Sequence, residues 1–226
     1  MKFSNDTISV LKNFGAINQG ILFKQGKKLK TVSSHKNILA EADINEDIPS
    51  EFGIYDLNNF LSVISLHKDD PSFEFDDKQV TIVGNKGRSK IKYRFTPANM
   101  IVTPPEKTIT LPSEDVKFTL TSDDLEWVMK TAAVLSSPNI GLVSNGEVVD
   151  LTTFDASNDA AHTNAIEICN GTGTKYKIVF KTENIKLIPG TYEVAISFKG
   201  IAHFTNTKDD IQYWIAFEAK QTKIGE

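Results

Sequence analysis

The chain predicts an α+β fold built as two similar domains, each an antiparallel sheet with two helices. Three observations predict it. A helix-and-strand order occurs twice, a proline-rich stretch separates the two occurrences, and 226 residues are enough for two domains of about 100 residues apiece. Repeats constrain the whole architecture and so come before motifs. Pattern alone leaves open a single β sandwich whose halves resemble one another by accident.

In the first half, Ile8, Leu11, Phe14 and Ile17 recur at helical spacing over 5–17, which predicts an amphipathic helix. Two short β segments, 20–23 and 28–33, flank Lys24-Gln25-Gly26-Lys27, whose glycine suits a hairpin. A further strand pair is expected across 38–54. Asp56 then caps a second helix with Leu57, Phe60, Leu61 and Ile64 on one face and Asn58, Asn59, Ser62 and Ser65 on the other. Short alternating strands at 73–75, 80–83 and 91–95 complete the half.

The second half repeats this order. Thr121 or Ser122 caps a helix bearing the stripe Leu125, Val128, Met129, Ala132 and Leu135, with Asp123 and Asp124 in its first turn. Strands at 140–143 and 148–154 flank Asn145-Gly146, a hairpin dipeptide. Further strands are expected at 161–168 and 176–180, then a short helix over 182–187 stopped by Pro189-Gly190. Alternating strands at 192–198, 201–206 and 211–217 follow. Between the halves, 96–113 holds Pro97, Pro104, Pro105 and Pro112, which favour extended chain. The expected division is a first domain 1–103, a connector 104–113 and a second domain 114–226.

Composition excludes several classes. Hydrophobic residues make up 40%, charged residues 24%, and mean hydropathy is -0.23, the values of a globular chain with a real core. No window approaches the roughly 18 apolar residues of a membrane span, and the start lacks a signal peptide's apolar stretch, so a cytosolic protein with no membrane partner is expected. The single cysteine, Cys169, cannot form an internal disulfide, in keeping with a reducing compartment. A net charge of -4 and a pI near 5.6 give no bulk attraction to nucleic acid, so any polyanion must meet a local patch.

Signatures of catalysis are absent, and neither a metal nor another cofactor is expected. There is no phosphate-binding glycine motif, and Gly171-Thr172-Gly173-Thr174 reads as a turn. His35, His67, His162 and His203 stand singly, without metal-ligand spacing, and are expected at surfaces or interfaces. Cys169 reads as a small buried hydrophobe, and the Asp69-Asp70, Asp76-Asp77 and Asp209-Asp210 pairs read as turn residues. What remains is surface: the polar helix faces carry Lys12, Lys130, Lys181 and Lys186 among Ser, Asn and Thr. Brought together, such faces suit phosphates without reading bases, although solvated helix faces commonly carry lysine for no such purpose.

Several strings resemble the DNA polymerase sliding clamps of T-even-like bacteriophages. They are Leu11-Lys12-Asn13-Phe14 with Ile17-Asn18-x-Gly20-Ile21, then Ile54-Tyr55-Asp56-Leu57-Asn58-x-Phe60-Leu61, and Pro189-Gly190-x-Tyr192. The resemblance covers nearly the whole chain, is strongest in the first 70 residues, and is loose across 72–112 and 152–173. It implies a homotrimeric ring of six clamp domains, with helices lining a hole around duplex DNA and sheets outside. The function implied is to tether the replicative DNA polymerase, after placement by an ATP-driven clamp loader, with a further role toward late transcription factors. The clamp itself would hydrolyse nothing and would act in the cytoplasm of the infected host.

On this resemblance Lys12, Lys68, Lys130, Lys181 and Lys186 are expected to face DNA. Sheet edges are expected to pair between chains through Ile91, Tyr93 and Phe95 of one copy and Thr163, Ala165 and Ile166 of the next. A partner peptide is expected in a pocket bounded by Ile101, Val102, Ile109, Leu111, Tyr213, Trp214 and Ile215. The alternative function is a monomeric two-domain module that binds a protein or peptide without encircling DNA; a mass measurement in solution separates the two.

Overall fold

A computed structural model describes residues 1–67, 71–107 and 109–225. Contacts divide the chain into two compact units, Met1–Glu106 and Lys107–Glu226.

The first unit opens with α1 (Asn5–Ile17), where the Ser4 hydroxyl accepts from the Thr7 N–H at 3.3 Å and Thr7, Leu11, Phe14 and Ile17 are buried. Then come β1 (Ile21–Phe23), β2 (Gly26–Val32), β3 (Ile38–Ile48) and β4 (Phe52–Ile54). In α2 (Leu57–Ser65) the Asp56 carboxylate accepts from the Asn59 N–H at 2.8 Å, and Leu57, Phe60, Leu61 and Ile64 are buried as the spacing requires. The unit closes with β5 (Ser72–Phe75), β6 (Gln79–Gly84) and β7 (Ser89–Arg94), hydrogen-bonded in that order. The two helices lie side by side: a Cβ at Gly15 would come within 2.7 Å of Asn58 Oδ1, so glycine there lets them approach.

Two pairings differ from expectation: the strands β3 and β4 within 38–54 do not pair with each other, and neither do β1 and β2. The segments on either side of Gly26 do not form a hairpin; β1 pairs antiparallel with β4, and β2 with β3. Phe23 stands directly opposite Phe52 with ring centroids 4.5 Å apart, and this long-range aromatic pair outweighs the local turn. Gly26 keeps a positive φ of 105°, so it bends the chain without folding it back on itself.

The second unit contains β8 (Val116–Leu120), α3 (Ser122–Val134), β9 (Asn139–Asn145), β10 (Val148–Phe154), β11 (Asn164–Asn170) and β12 (Lys175–Lys181). After these come β13 (Tyr192–Ser197), β14 (Ile201–Asn206), β15 (Ile211–Ala216) and the two-residue β16 (Lys223–Ile224). One sheet runs β11-β10-β9-β12-β16, and β15-β14-β13-β8 are hydrogen-bonded in that order. The stripe Leu125, Val128 and Ala132 seats α3 against β9, β10 and β11. The Asn145-Gly146 hairpin forms as expected, with Gly146 at φ 99°.

The helix expected over 182–187 is absent. Only a single 3-10 turn, Thr182–Asn184, forms, and Ile185 at φ -80°, ψ 81° leaves helical space. Pro189 supplies no N–H to continue a helix, and β-branched Ile185 and Ile188 disfavour one. Thr182 is meanwhile tied back to the preceding loop, its N–H donating to the Pro138 carbonyl and its hydroxyl to the Ser137 carbonyl. Among its described residues the second unit therefore has one α-helix, where two were expected. The strand expected at 161–168 is shifted to Asn164–Asn170, because turns from Asp155 to Asn158 and from Asn158 to Ala161 occupy its start.

Candidate nucleic-acid interface and subunit edges

Packing of one face of each helix leaves the other in solvent. On α1 the exposed residues are Asn5, Asp6, Ser9, Lys12 and Ala16; on α2 they are Asn58, Asn59, Ser62 and Ser65. These are short, polar side chains, and Lys12 is the cation that the first unit's described helices expose. On α3 the exposed set is Asp123, Glu126, Trp127, Lys130, Ala133 and Val134. Lys130 does face solvent, but it is ion-paired with Glu126 one turn earlier, the favourable order for an i,i+4 pair. Hydrogen bonding and the charge of Lys130 hold the Glu126 carboxyl below the usual range.

The other expected cations lie off helices. Lys181 is the last residue of β12, 3.8 Å from Glu183, and Lys186 follows the 3-10 turn, half-buried. Lys68 falls outside the described residues. Within the first unit the α1 and α2 faces are rich in hydroxyls and amides with little net charge, able to lie beside a phosphate backbone without gripping it.

Trp127 and Val134, 52% and 82% exposed, are large apolar groups on the same solvent face of α3, outside the expected stripe. Their i,i+7 spacing was the available signal.

The edge residues separate into two kinds. Ile91 and Tyr93 turn to the inner face of β7. Tyr93 meets Phe60 edge-on at 5.1 Å and donates its hydroxyl to the Asp56 carbonyl at 3.2 Å, and burial, then the Asp56 charge, push its pKa up. Phe95, just past the strand, stacks on Phe52 at 4.8 Å. These rings belong to the first unit's core, so what β7 offers outward is its backbone and the exposed side chains of Lys90, Lys92 and Arg94. In the second unit, Ala165 and Ile166 lie in β11 opposite Thr152 and Leu151, and Thr163 immediately precedes the strand. Among the described strands β7 bonds only to β6 and β11 only to β10, so both are open edges.

The seven residues of the expected peptide pocket have unequal access. In the first unit Ile101 is buried against Gly53, while Val102 is 43% exposed and its carbonyl accepts from Asn18 Nδ2 at 3.0 Å. In the second unit Ile109 and Leu111 are half-buried. Tyr213 and Ile215 are fully buried on the inner face of β15; the Tyr213 hydroxyl accepts from the Ile188 N–H, and burial pushes its pKa up strongly. Trp214, on the opposite face, is 3% exposed and stacks on His203 at 4.5 Å. A separate cleft of about 330 Å³ in the first unit lies between β2 and 103–106, its mouth bridged by Lys24 and Glu106 at 3.1 Å.

Among the described residues no three His, Cys, Asp or Glu side chains converge to hold a metal. Cys169 is half-buried, and burial pushes its thiol pKa up, away from reactivity. His67 departs from the expectation of a surface histidine: it is 7% exposed and packs on Gly84.

Solved structures place this fold. The chain superposes on PCNA from Thermococcus kodakaraensis with a TM-score of 0.69 at 16% identity, covering 96% of this chain and 98% of that one. The Helicobacter pylori beta clamp gives 0.67 at 12% identity, over 93% of this chain and 63% of that one. At these identities the likeness is one of fold, and the fold is that of the DNA clamps.

Sequence relatives are nearer. A family model described as DNA polymerase processivity factor matches residues 4–103. The sliding clamp of Vibrio phage KVP40 is 32% identical over 225 residues, covering 97% of this chain and 100% of the relative. The sliding clamp of Escherichia phage RB69 is 30% identical over 230 residues, covering 98% and 99%. The chain belongs to the phage sliding-clamp family of DNA polymerase processivity factors.

Proposed function

We propose that three copies of this chain close head to tail into a ring around duplex DNA and hold the replicative polymerase to its template. The observation that carries this reading is the full-length match to phage sliding clamps, joined to two open strand edges, β7 and β11, in different units of one chain. An edge on each unit suits a heterologous contact that repeats until the ring closes. In this reading the clamp domains are 1–103 and 114–226, joined by the connector 104–113. Backbone pairing at β7 and β11 joins the copies, with Ile91, Tyr93, Phe95, Thr163, Ala165 and Ile166 beneath or beside the seam.

The helix faces line the hole, where Lys12 and Lys130, with Lys181 and Lys186 from outside the helices, act as screened phosphate contacts. Weak attraction is the functional requirement, because a ring that gripped phosphates would not slide. The polymerase gains processivity through effective concentration: while the ring stays threaded, a released polymerase rebinds the same template. Partner peptides dock beside the connector, near Val102, Ile109 and Leu111. An ATP-dependent loader opens the ring, late transcription factors share it, and the site of action is the cytoplasm of the infected host. The clamp contributes no chemical step.

Polymerase product length on primed template, with and without this protein and its cognate loader, tests the proposal. Longer products are expected. Unchanged lengths at low salt with an active loader would refute it.

A further inference from the structure

The β7 and β11 edges carry opposite charge. On β7 the outward residues are Lys90, Lys92 and Arg94, all exposed, spaced two apart and thus about 7 Å from one another along one face. None forms an ion pair with a described residue. The carboxylates around β7 are Asp76, whose ionised form Lys92 favours, Glu74, on β5 at the far side of β6, and Asp77 and Glu51, which line one cleft with Arg94.

On the outward face near β11, Glu167 stands directly opposite Asp150 of β10, and neither is ion-paired among the described residues. Like charges facing each other across a strand pair oppose sheet formation. Each edge therefore holds like charges that no described ion pair within its own unit neutralises. Lysine on an open edge is an ordinary guard against indiscriminate strand addition. An acidic pair behind a second open edge of the same chain makes that guard selective.

We infer that these charges dictate the direction of ring closure: the basic β7 edge accepts the acidic β11 edge of another copy, while β7 against β7 and β11 against β11 are repelled. The inference rests on the ring reading above and adds to it the reason that contacts run head to tail and do not form closed two-fold pairs. The partner is a second copy of this chain. Its Glu167 and Asp150 come to lie beside Lys90, Lys92 and Arg94 on one face of the joined sheet, and the repulsion at both edges becomes attraction.

Solution mass decides it, using the full chain and three variants. The first carries Lys90→Glu, Lys92→Glu and Arg94→Glu; the second carries Asp150→Lys and Glu167→Lys; the third carries all five. Wild type is expected at three times 25.1 kDa. Each single-edge variant should dissociate at concentrations at least about tenfold higher than wild type, and the five-fold variant should regain the trimer. Matching far-ultraviolet dichroism checks that all are folded.

Single-edge variants that stay trimeric as wild type does, or a folded five-fold variant that stays dissociated, would overturn the inference. A wild type that is monomeric at low salt would instead refute the ring reading itself. Wild-type association should also weaken at least about tenfold as ionic strength rises from roughly 0.05 M to 0.5 M, since exposed pairs are screened. Salt-independent association would overturn the charge rule even if a variant failed to fold.

Discussion

The His67 imidazole occupies the space that any side chain at Gly84 would need: a Cβ built there falls on the ring itself. Gly84 has an extended backbone, φ -131°, so glycine is required at the end of β6 for room and not for conformation. His67, just past α2, is buried by this contact, and neither ring nitrogen has a hydrogen-bond partner among the described residues. The pair fastens the C-terminal end of α2 to the β5-β6-β7 sheet.

Gly84→Ala should therefore destabilise the protein by about 1–3 kcal/mol, through displacement of the ring. Urea unfolding measures it. A change under about 0.5 kcal/mol would show that the ring moves aside freely.

A second prediction concerns acid. Glu46 on β3 accepts the Ser4 N–H on one carboxylate oxygen and the Thr7 hydroxyl on the other, joining the start of α1 to the strand beneath. Burial works to raise its pKa, but the Thr7 and Ser4 hydrogen bonds outweigh burial and hold it below its ordinary 4.5. A carboxyl depressed in the folded state stabilises above its unfolded pKa, and that contribution is lost as pH falls through the folded value. Glu46→Gln should cost about 1 kcal/mol at pH 7 and less as pH drops below 4.5. Equal cost at both ends of that range in urea titrations would contradict the assignment.

At alkaline pH the tyrosines reverse the sign. Burial is the main cause that pushes Tyr176 up to about 12. Unfolded tyrosine ionises near 10, so this contribution is intact below about 10 and lost as pH rises toward about 12. Tyr176→Phe should lose less stability than wild type between those values. A parallel decline would assign the alkaline loss elsewhere.

The Glu126–Lys130 pair makes a signed prediction for DNA. Glu126→Gln frees a cation on the solvent face of α3, and Lys12→Ala removes one from α1. If those faces meet phosphates, the slope of log affinity against log salt should steepen by up to about 0.9 in the first variant and flatten by about 0.9 in the second. Fluorescence titrations on a short duplex at several salt concentrations measure both. Identical slopes for both variants and wild type would remove these helix faces from the DNA surface.

Local rules made much of this legible before any coordinates. The α-helices α1, α2 and α3 follow from apolar spacing, the last two also from caps at Asp56 and Thr121, and the Asn145-Gly146 hairpin follows from turn chemistry alone. Long-range pairing was not legible. Phe23 opposite Phe52 unites residues almost thirty positions apart, and no local pattern near Gly26 announces it. The missing fourth helix fails for the complementary reason: an apolar rhythm existed, but Thr182 found partners at Pro138 and Ser137.

The site was half legible. Lys12 and Lys130 face solvent as their helical positions require, and the i,i+4 spacing of Glu126 and Lys130 is the sequence signal of their ion pair. Alternation along β7 sends Lys90, Lys92 and Arg94 outward for the same reason that it turns Ile91 and Tyr93 inward. Only the fold could show that this strand is an open edge and that Asp150 stands opposite Glu167.

Topology offers the most direct test of the central claim. The protein is placed by its cognate loader on a nicked circular duplex and freed of unbound protein, and the circle is then cut once with a restriction enzyme. A threaded ring should remain with the circle through gel filtration and run off once the DNA has ends. Release at the same rate from circular and linear DNA would contradict encirclement.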